Sequence, residues 1–375
     1  MEYKKLGDIA TYINGYPFKP EDRGECGLPI IRIQDLTGNT YDLGYYDGKY
    51  PERIEINNGD ILISWSASLG VYVWNRGKAL LNQHIFKVVF NKVEINKRYF
   101  VYAVQFKLKE MEAKTHGATM KHIVKKDFDS TLIPYPSLKE QSRIAEIIDS
   151  ITKSINMRQK QLQKLDDLVK ARFVEMFGDP ISNPNCFKKV SLSDLAEIKI
   201  GPFGSLLHKE DYIKDGHALV NPSHIIDGKI VTDQQLTVSD EKYAELSAYH
   251  LQIGDIVLGR RGEMGRCAVV SDDGLLCGTG SLLIRPKGEV TADYIQKIIS
   301  FPSFKKTIED MAVGQTMPNL NVPIVSSFQI IKPPIEIQEA YYAFVKQADK
   351  SKAIIQKALN EVQLLFDSLM QNYFG

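Results

Sequence analysis

Residues 141–178 read QSRIAEIIDSITKSINMRQKQLQKLDDLVKARFVEMFG, with no proline and no glycine before Gly178. From Ile144 onward, apolar residues recur at alternating intervals of four and three, which is the spacing of a coiled-coil seam. Arg158 is the one polar residue on it. The pattern predicts a long helix whose apolar stripe needs a partner helix. The predicted seam consists of Ile144, Ile148, Ile151, Ile155, Leu162, Leu165 and Val169.

The last 41 residues of the chain, 335–375, repeat this pattern, with Lys352 as the polar position. At 1.5 Å per residue, each helix should be about 60 Å long. Neither helix could leave such a stripe in water, so we expect the two helices to pair with each other. The second seam consists of Tyr341, Val345, Ala348, Ile355, Leu359, Val362, Phe366 and Leu369.

The similarity between the two halves extends beyond the helices. Ordered matches occur at offsets that drift from 186 to 197 positions, so the second copy carries small insertions. The chain is therefore one module written twice. The matching stretches are LGDIATYING (6–15) with LSDLAEIKIG (192–201), INNGDILISWSASLG (56–70) with LQIGDIVLGRRGEMG (251–265), and HGATMKHI (116–123) with VGQTMPNL (313–320).

Short apolar runs broken by turn residues precede each helix, for example GDILISW and HIFKVVF in copy one and GDIVLG and GSLLIRP in copy two. Such runs predict strands of a compact domain. The expected fold is α+β, with two globular, mainly-β domains and two long antiparallel coiled-coil helices in a pseudo-twofold internal repeat. The predicted segments are 1–137 (first domain), 138–178 (first helix), 179–334 (second domain) and 335–375 (second helix).

A twofold relation would put the domains at opposite ends of the helix pair, roughly 50 to 70 Å apart. This distance would suit two DNA sites separated by about two turns, at 34 to 36 Å per turn. The net charge of +1 gives no support to DNA binding. The halves 1–180 and 181–375 carry 27 and 20 basic against 23 and 23 acidic residues, or +4 and −3. A DNA-facing surface must therefore be a local patch.

The aligned stretches 64–72 and 259–267 differ most in chemistry, as two domains that read different sequences should. Arginine pairs with guanine and amides pair with adenine. The alternatives are solvated arginines in copy two and, for Trp65, a packing anchor. The candidate DNA-binding residues here are Ser64, Trp65, Ser66, Ser68 and Tyr72 in copy one and Arg260, Arg261 and Arg266 in copy two.

Two further loops supply candidates. A basic cluster in copy one could hold phosphates, whereas its counterpart in copy two has amides that could read adenine or cap a helix. Glycine-containing turns near the start of each domain complete the set. The candidates are Lys121, His122 and Lys125, then Gln315, Asn319 and Asn321, and finally Asn14, Tyr16 and Ser205.

Catalytic signatures are missing from the sequence. No phosphate loop, HExxH helix, GxSxG elbow or dinucleotide motif occurs, and the histidines and cysteines lack the spacing of a metal site. We therefore expect a non-enzymatic chain with no metal or cofactor. No apolar stretch approaches the roughly 18 residues of a membrane helix, and no apolar signal core is present, so a cytoplasmic protein is expected.

The order, duplication and spacing of these motifs resemble the specificity subunits of type I restriction-modification systems over essentially the whole chain. The resemblance rests on the paired stretches above and on PSLKEQSRIAEI (136–147) with its echo PPIEIQEAYYAF (333–344). It implies two target recognition domains, each binding one half of a bipartite double-stranded DNA target, with the helices as spacer.

The same resemblance implies two modification subunits, which would carry the adenine methyltransferase and S-adenosylmethionine, and restriction subunits that use ATP and Mg²⁺. Two alternatives stay open: an enzyme with a divergent site, and a coiled-coil scaffold for proteins alone, which the near-neutral charge would suit.

Overall fold

A computed structural model describes residues 2–39, 43–114, 123–312 and 319–375. The chain divides into two compact units. Unit 1 comprises Met1–Gln161 and Ile355–Gly375, and unit 2 comprises Leu162–Ile354. Each unit therefore contains one globular domain and part of each long helix. The four segments predicted above follow chain order, whereas these units group residues by contact.

The first copy begins with a strand that later pairs with the strand just before the long helix. Its elements are β1 (Tyr3–Lys5), α1 (Leu6–Ile9), β2 (Thr11–Asn14), β3 (Leu28–Ile31), α2 (Ile33–Thr37), β4 (Tyr45–Tyr46), β5 (Glu55–Ile56), β6 (Ile61–Ser64), β7 (Gly70–Val73), β8 (Ala79–Leu81), β9 (Ile85–Val89), α3 (Lys97–Lys114), α4 (Lys125–Ser130), β10 (Leu132–Pro134) and α5 (Leu138–Phe177).

The second copy follows the same order with extra short strands. Its elements are β11 (Lys188–Ser191), α6 (Leu192–Leu195), β12 (Ala196–Ile200), β13 (Tyr212–Ile213), β14 (His217–Val220), β15 (Ile225–Ile226), β16 (Lys229–Ile230), β17 (Thr237–Val238), α7 (Asp240–Glu245), β18 (Ile256–Gly259), β19 (Cys267–Val269), β20 (Leu276–Cys277), β21 (Ser281–Pro286), α8 (Ala292–Ile299), α9 (Pro302–Met311), α10 (Val322–Ser326), β22 (Gln329–Lys332) and α11 (Ile335–Phe374).

The two domains build the same sheets. A four-stranded antiparallel sheet has the order β2-β9-β6-β7 in unit 1 and β12-β21-β18-β19 in unit 2. A second sheet in each domain contains one parallel pair, β3 with β8 and β14 with β20. The outer pairs β1-β10 and β11-β22 close each domain. The predicted α+β class and internal repeat are confirmed.

The repeated Gly-Asp-Ile motif begins the central strand of each domain. Gly59 and Gly254 both adopt φ of +91°, a left-handed conformation that glycine takes without a steric penalty. The carboxylates of Asp60 and Asp255 then accept a hydrogen bond from the backbone N–H three residues earlier, at 2.8 and 2.7 Å. The motif recurs because this turn needs both residue types.

A buried glutamine near the start of each long helix forms hydrogen bonds with backbone groups of the preceding domain. Gln141 is fully buried; its amide donates to the carbonyl of Pro136 at 2.9 Å and its oxygen accepts from the Asn96 N–H at 2.9 Å. Gln338 does the same with the carbonyl of Pro333 and the N–H of Thr291, both at 3.0 Å. All these polar groups are thus paired in the interior.

The long helices run antiparallel where they meet inside unit 2. The Tyr341 hydroxyl near the start of α11 donates to the carbonyl of Val169 at 3.3 Å. Further along α11, the Lys352 ammonium lies 2.6 Å from the carboxylate of Asp166, which is earlier in α5. The antiparallel pairing is confirmed, and the polar seam position Lys352 has an acidic partner on the facing helix.

All the predicted seam positions are buried or half-buried, which agrees with the alternation read from the sequence; Ile144 and Ile148 lie in the hydrophobic core of unit 1. In α5 the buried ones are Ile144, Ile148, Ile155 and Val169, and in α11 Tyr341 and Ala348. The half-buried ones are Ile151, Leu162, Leu165, Val345, Ile355, Leu359, Val362, Phe366 and Leu369.

Each long helix ends in the domain of the other copy. Phe177, at the end of α5, packs in unit 2 with its ring centroid 5.0 Å from that of Tyr294. Phe374, at the end of α11, packs in unit 1 with its ring 5.2 Å from that of Tyr99. Both phenylalanines are fully buried. Each unit is therefore completed by the other copy's helix.

Candidate nucleic-acid interface

In unit 1, the loops that carry the copy-one candidates meet at the end of β6. The Trp65 indole N–H donates to the side-chain oxygen of Asn14, at the end of β2, at 3.3 Å. The indole stacks on Phe86 with centroids 5.6 Å apart and an interplanar angle of 24°. The backbone N–H of Trp65 donates to the carbonyl of His84, and the Ile123 N–H donates to the Trp65 carbonyl. Asn14 and Trp65 are thus brought together.

Unit 2 builds the same backbone frame around Arg260. Its N–H donates to the carbonyl of Gly280 at 3.0 Å, and the Leu320 N–H donates to the Arg260 carbonyl at 2.9 Å. The Arg260 Nε–H donates to the side-chain oxygen of Asn319 at 3.1 Å. Arg260 therefore occupies the structural place of Trp65, and Arg260 and Asn319 are brought together across 59 positions of sequence.

A close backbone approach explains one repeated glycine in each copy. A Cβ placed on Gly15 would lie 2.0 Å from the carbonyl oxygen of Asn82, and one on Gly201 would lie 2.0 Å from that of Gly278. Any side chain would push the two segments apart. These glycines hold the β2 and β12 ends against the following loops, so the same frame forms twice.

The copy-one turn places its hydroxyls at different depths. Ser64 is fully buried, and its hydroxyl donates to the Ser68 carbonyl at 2.5 Å. Ser66 is also buried, whereas Ser68 is exposed and Tyr72 is half-buried. Ser64 and Ser66 are therefore less accessible to a ligand than Ser68, Trp65 and Tyr72.

Two arginines in copy two have no carboxylate partner in the part of the chain that the structure describes. Among the described residues, neither Arg260 nor Arg261 forms an ion pair within 4.0 Å. Partial burial lowers the pKa of Arg260, and the neighbouring Arg261 charge lowers it further. With its Nε held by Asn319, the Arg260 guanidinium has its outer nitrogens available for a bidentate acceptor such as a guanine edge or a phosphate.

Arg266 has a different environment from the other two. Its guanidinium donates to Glu263 at 2.8 Å and to the Pro222 carbonyl at 3.3 Å. Hydrogen bonds from Arg266 and then Lys305 lower the pKa of Glu263 to about 2. These contacts fix the loop, so Arg266 contributes to its shape.

Asn321 resolves the choice between reading a base and capping a helix. Its side-chain oxygen accepts the Ile324 N–H at 2.9 Å and caps α10. Asn319, by contrast, faces Arg260. Cap formation uses the carbonyl end of the Asn321 amide, because an N-cap must accept the orphan N–H groups of the first turn.

The remaining candidates are only partly placed. Lys125 pairs with Asp129 at 2.9 Å, and its ammonium lies 5.7 and 5.6 Å from the ring centroids of Tyr12 and Phe86. Tyr16 is 39% exposed. Lys121, His122 and Gln315 lie outside the described residues, as does the side chain of Ser205.

The two aromatic rings that pack against Trp65 were not predicted from the sequence. His84, with φ of +72°, and Phe86 both contact the indole, at centroid distances of 4.8 and 5.6 Å. Phe86 belongs to the β9 run that the alternation had predicted as a strand. His84 precedes β9 in a left-handed conformation, so strand alternation alone does not place its ring beside the indole.

Within the described ranges, no cluster of three His, Cys, Asp or Glu side chains could hold a metal ion. None of the helices in the described part of the chain combines the length and apolarity needed to cross a bilayer.

Comparison with known protein families matches this chain twice. The type I restriction modification DNA specificity domain covers residues 1–167 and 184–364. The chain belongs to this family, and the repeat found above corresponds to two copies of its domain. The resemblance noted in the sequence is confirmed.

Similar proteins agree with this assignment. The chain is 24% identical to the type I restriction enzyme EcoBI specificity subunit of Escherichia coli, over 98% of this chain and 84% of that protein. It is 22% identical to the MjaVIII specificity subunit of Methanocaldococcus jannaschii, over 97% and 91%.

Solved structures share the fold. A type I restriction-modification S subunit from M. genitalium superposes with a TM-score of 0.58 and 14% identity, over 100% of this chain and 96% of that one. A chain from a structure of type I R-M complex assembly gives a TM-score of 0.63 and 15% identity, over 99% and 97%.

Proposed function

We propose that this chain is the DNA-reading subunit of a type I restriction-modification complex, in which each globular domain reads one half of a bipartite target and the chain itself is not catalytic. The observation that carries the proposal is the shared frame around Trp65 and Arg260. Two copies of one scaffold present different side chains at the same structural place, as readers of two different half-sites require.

The cationic side chains at this position in unit 2 support DNA as the ligand. Arg260 and Arg261 carry cationic donors without carboxylate partners in the described chain, and Arg260 is oriented through Asn319. Duplex DNA offers both phosphate charge and guanine acceptors to such a group. A local basic patch can therefore bind DNA even though the net charge of the whole chain is only +1.

Partner subunits supply the remaining activities in this proposal. The long helices expose apolar side chains away from their seam, including Ile354 and Leu364 at 71% each and Met157 at 59%. Contact with a protein partner would remove these apolar side chains from water, which favours binding. We assign methyltransfer with S-adenosylmethionine to modification subunits docked on the helices, and ATP- and Mg²⁺-dependent cleavage to restriction subunits.

The decisive experiment is to map methylated adenines in DNA from cells that express the full chain with its modification subunit. We expect one bipartite motif. Exchanging residues 1–137 for the first domain of another family member should change one half of that motif and leave the other unchanged. A change in both halves, or in neither, would refute two independent readers.

The same assay separates the alternatives. A protein scaffold would yield no sequence-dependent methylation even with the partner present, whereas an enzyme with a divergent site would modify DNA when the chain is expressed alone.

The helices should also set the spacer between the half-sites. Seven residues inserted in register after Gln161 in α5 and after Ile354 in α11 fall where one compact unit gives way to the other. Each heptad adds about 10 Å of helix. We expect the mapped spacer to lengthen while both half-sites stay the same, and an unchanged spacer would rule out this role.

A further inference from the structure

Unit 2 contains a cleft of about 760 Å³ beside the loop that carries Arg260 and Arg261. Its walls come from α5, α8, α9, the β15-β16 hairpin and the β18-β19 loop. Four of the side chains that line it are basic and two are acidic. They are Lys170, Arg266, Lys297 and Lys305, with Asp227 and Glu263.

One carboxylate in the cleft wall already binds two of the four cations. Glu263 binds Arg266 at 2.8 Å and Lys305 at 2.9 Å, so it is shared between two cations. Lys170 and Lys297 form no ion pair with any described residue. The cleft therefore keeps two ammonium groups, from two different helices, that have no carboxylate at contact distance.

Lys297 is held in an environment that disfavours its charge. Burial lowers its pKa, and the positive charges of Lys170 and Lys352 lower it further, against the opposing effect of Asp166 and Asp349. Lys297 also lies in the last turn of α8, where a cation is favoured by the helix dipole. The dipole accounts for one lysine, but not for the approach of a second lysine from α5.

In the described part of unit 1, the two positions equivalent to Lys170 and Lys297 are not basic. By the repeat offsets, Asp367 stands where Lys170 does and Tyr102 stands where Lys297 does. The Tyr102 hydroxyl donates to Asp149 at 2.5 Å, and Asp367 lines an apolar groove with Phe366 and Met370. The basic cleft is thus a property of unit 2 and not of the shared scaffold.

We propose that Lys170 and Lys297 form a phosphate anchor that binds the DNA backbone beside the second half-site. This inference rests on the proposed function. The β18-β19 loop forms one wall of the cleft through Glu263 and Arg266, and the same loop carries Arg260 and Arg261. Because Arg260 and Arg261 lie in the same loop as two residues of this wall, a duplex that binds the two arginines would pass beside the cleft. Lysine ammoniums suit phosphate because they act as point charges, and a contact with phosphate carries no sequence information.

The test is the salt dependence of duplex binding by the full chain assembled with its modification subunits. K170Q/K297Q removes both charges, and K164Q/K306Q is the matched control. The control changes the same net charge on the same α5 and on α9, at exposed positions outside the cleft. K170R/K297R keeps the charge. Thermal unfolding of each variant verifies the fold.

We expect the slope of log K against log of KCl concentration to become shallower by about 0.9 for each phosphate that the protein no longer neutralises, so by about 1.8 in K170Q/K297Q. The control and the arginine variant should keep the original slope. The methylation motif should stay the same in all variants, because binding to a phosphate carries no sequence information. A slope equal to that of the control, or a changed motif, would overturn the anchor.

A second arm uses a duplex without the target motif and a titration with inorganic phosphate. If the original protein binds both duplexes equally, two-domain reading fails, yet the slope difference on either duplex still reports on the anchor. If phosphate alone raises the melting temperature of the original protein, and the glutamine variant loses this effect while keeping its DNA slope, the cleft binds a free anion and the DNA proposal is wrong.

Discussion

The turn after β6 in unit 1 and the turn after β18 in unit 2 lie at the same place in the two sheets, but the second is one residue longer, and different interactions hold them together. In the first, the buried hydroxyl of Ser64 binds a carbonyl within the turn, and Trp65 lies on an aromatic bed. In the second, Glu263 binds Arg266 and Lys305. The frame depends on backbone hydrogen bonds and on Gly15 and Gly201, so side chains in the turn can change without loss of the fold.

The largest effect is expected from truncating the buried phenylalanine at the end of each long helix, because this side chain completes the core of one unit. Phe374→Ala leaves a cavity against Tyr99 in unit 1, and Phe177→Ala leaves one against Tyr294 in unit 2. A buried Phe→Ala change costs about 3–5 kcal/mol. Hydrogen exchange by mass spectrometry should show faster exchange in unit 1 for Phe374→Ala and in unit 2 for Phe177→Ala.

Val174→Ala is the control for both, because this α5 side chain is 48% exposed and its removal should change little. If Phe374→Ala instead accelerated hydrogen exchange in unit 2, the packing of the end of α11 in unit 1 would be wrong.

The next largest effect is expected on recognition of the DNA sequence. Arg260→Ala with Arg261→Ala should relax one half of the methylation motif at a cost of about 1–3 kcal/mol for each bidentate base contact. Trp65→Ala should affect only the other half. Deep sequencing of methylated targets from cells expressing each variant measures both. Arginine variants that retained the full motif would exclude these residues as readers.

Asn319→Ala tests the orientation of Arg260 and should have a smaller effect in the same half-site, because the guanidinium remains but loses its Nε partner at 3.1 Å. Asn321→Ala, which removes a helix cap, is the matched control: it should lower stability by about 1 kcal/mol and leave the motif unchanged.

The smallest effect is on pH dependence. The pKa of Glu263 in the folded chain is about 2, below its ordinary value. Its ion pairs therefore stabilise the loop above about pH 4.5, and this stability is lost as the pH falls toward 2. The Glu263 side chain is 55% exposed, so screening keeps the contribution below about 1 kcal/mol.

The melting temperature of Glu263→Gln should therefore fall below that of the original protein at pH 7 and approach it as the pH falls from about 4.5 toward 2. Ser68→Ala, at the corresponding turn of unit 1, should show no such convergence because no titratable group is removed. A constant difference for Glu263→Gln across this range would contradict the ion-pair account.

The sequence by itself determined the elements whose signals are local or periodic. The seam spacing predicted both long helices and the positions they cover, and the repeated Gly-Asp-Ile and Pro-to-Gln motifs predicted the duplicated domain. These features were readable because hydrophobic periodicity and turn chemistry act over a few residues. The alignment of the two dissimilar turns also indicated that Trp65 and Arg260 occupy equivalent positions in the two domains.

Only the tertiary structure decided which neighbouring side chains share a role. Ser64 and Arg266 are predicted DNA-binding residues, and the structure adds that Ser64 is buried and that Arg266 binds Glu263. The hydrogen bond between Arg260 and Asn319, and the cleft between Lys170 and Lys297, join residues that are distant in the chain. No local pattern encodes such pairs, because the packing of whole helices and sheets sets their distances.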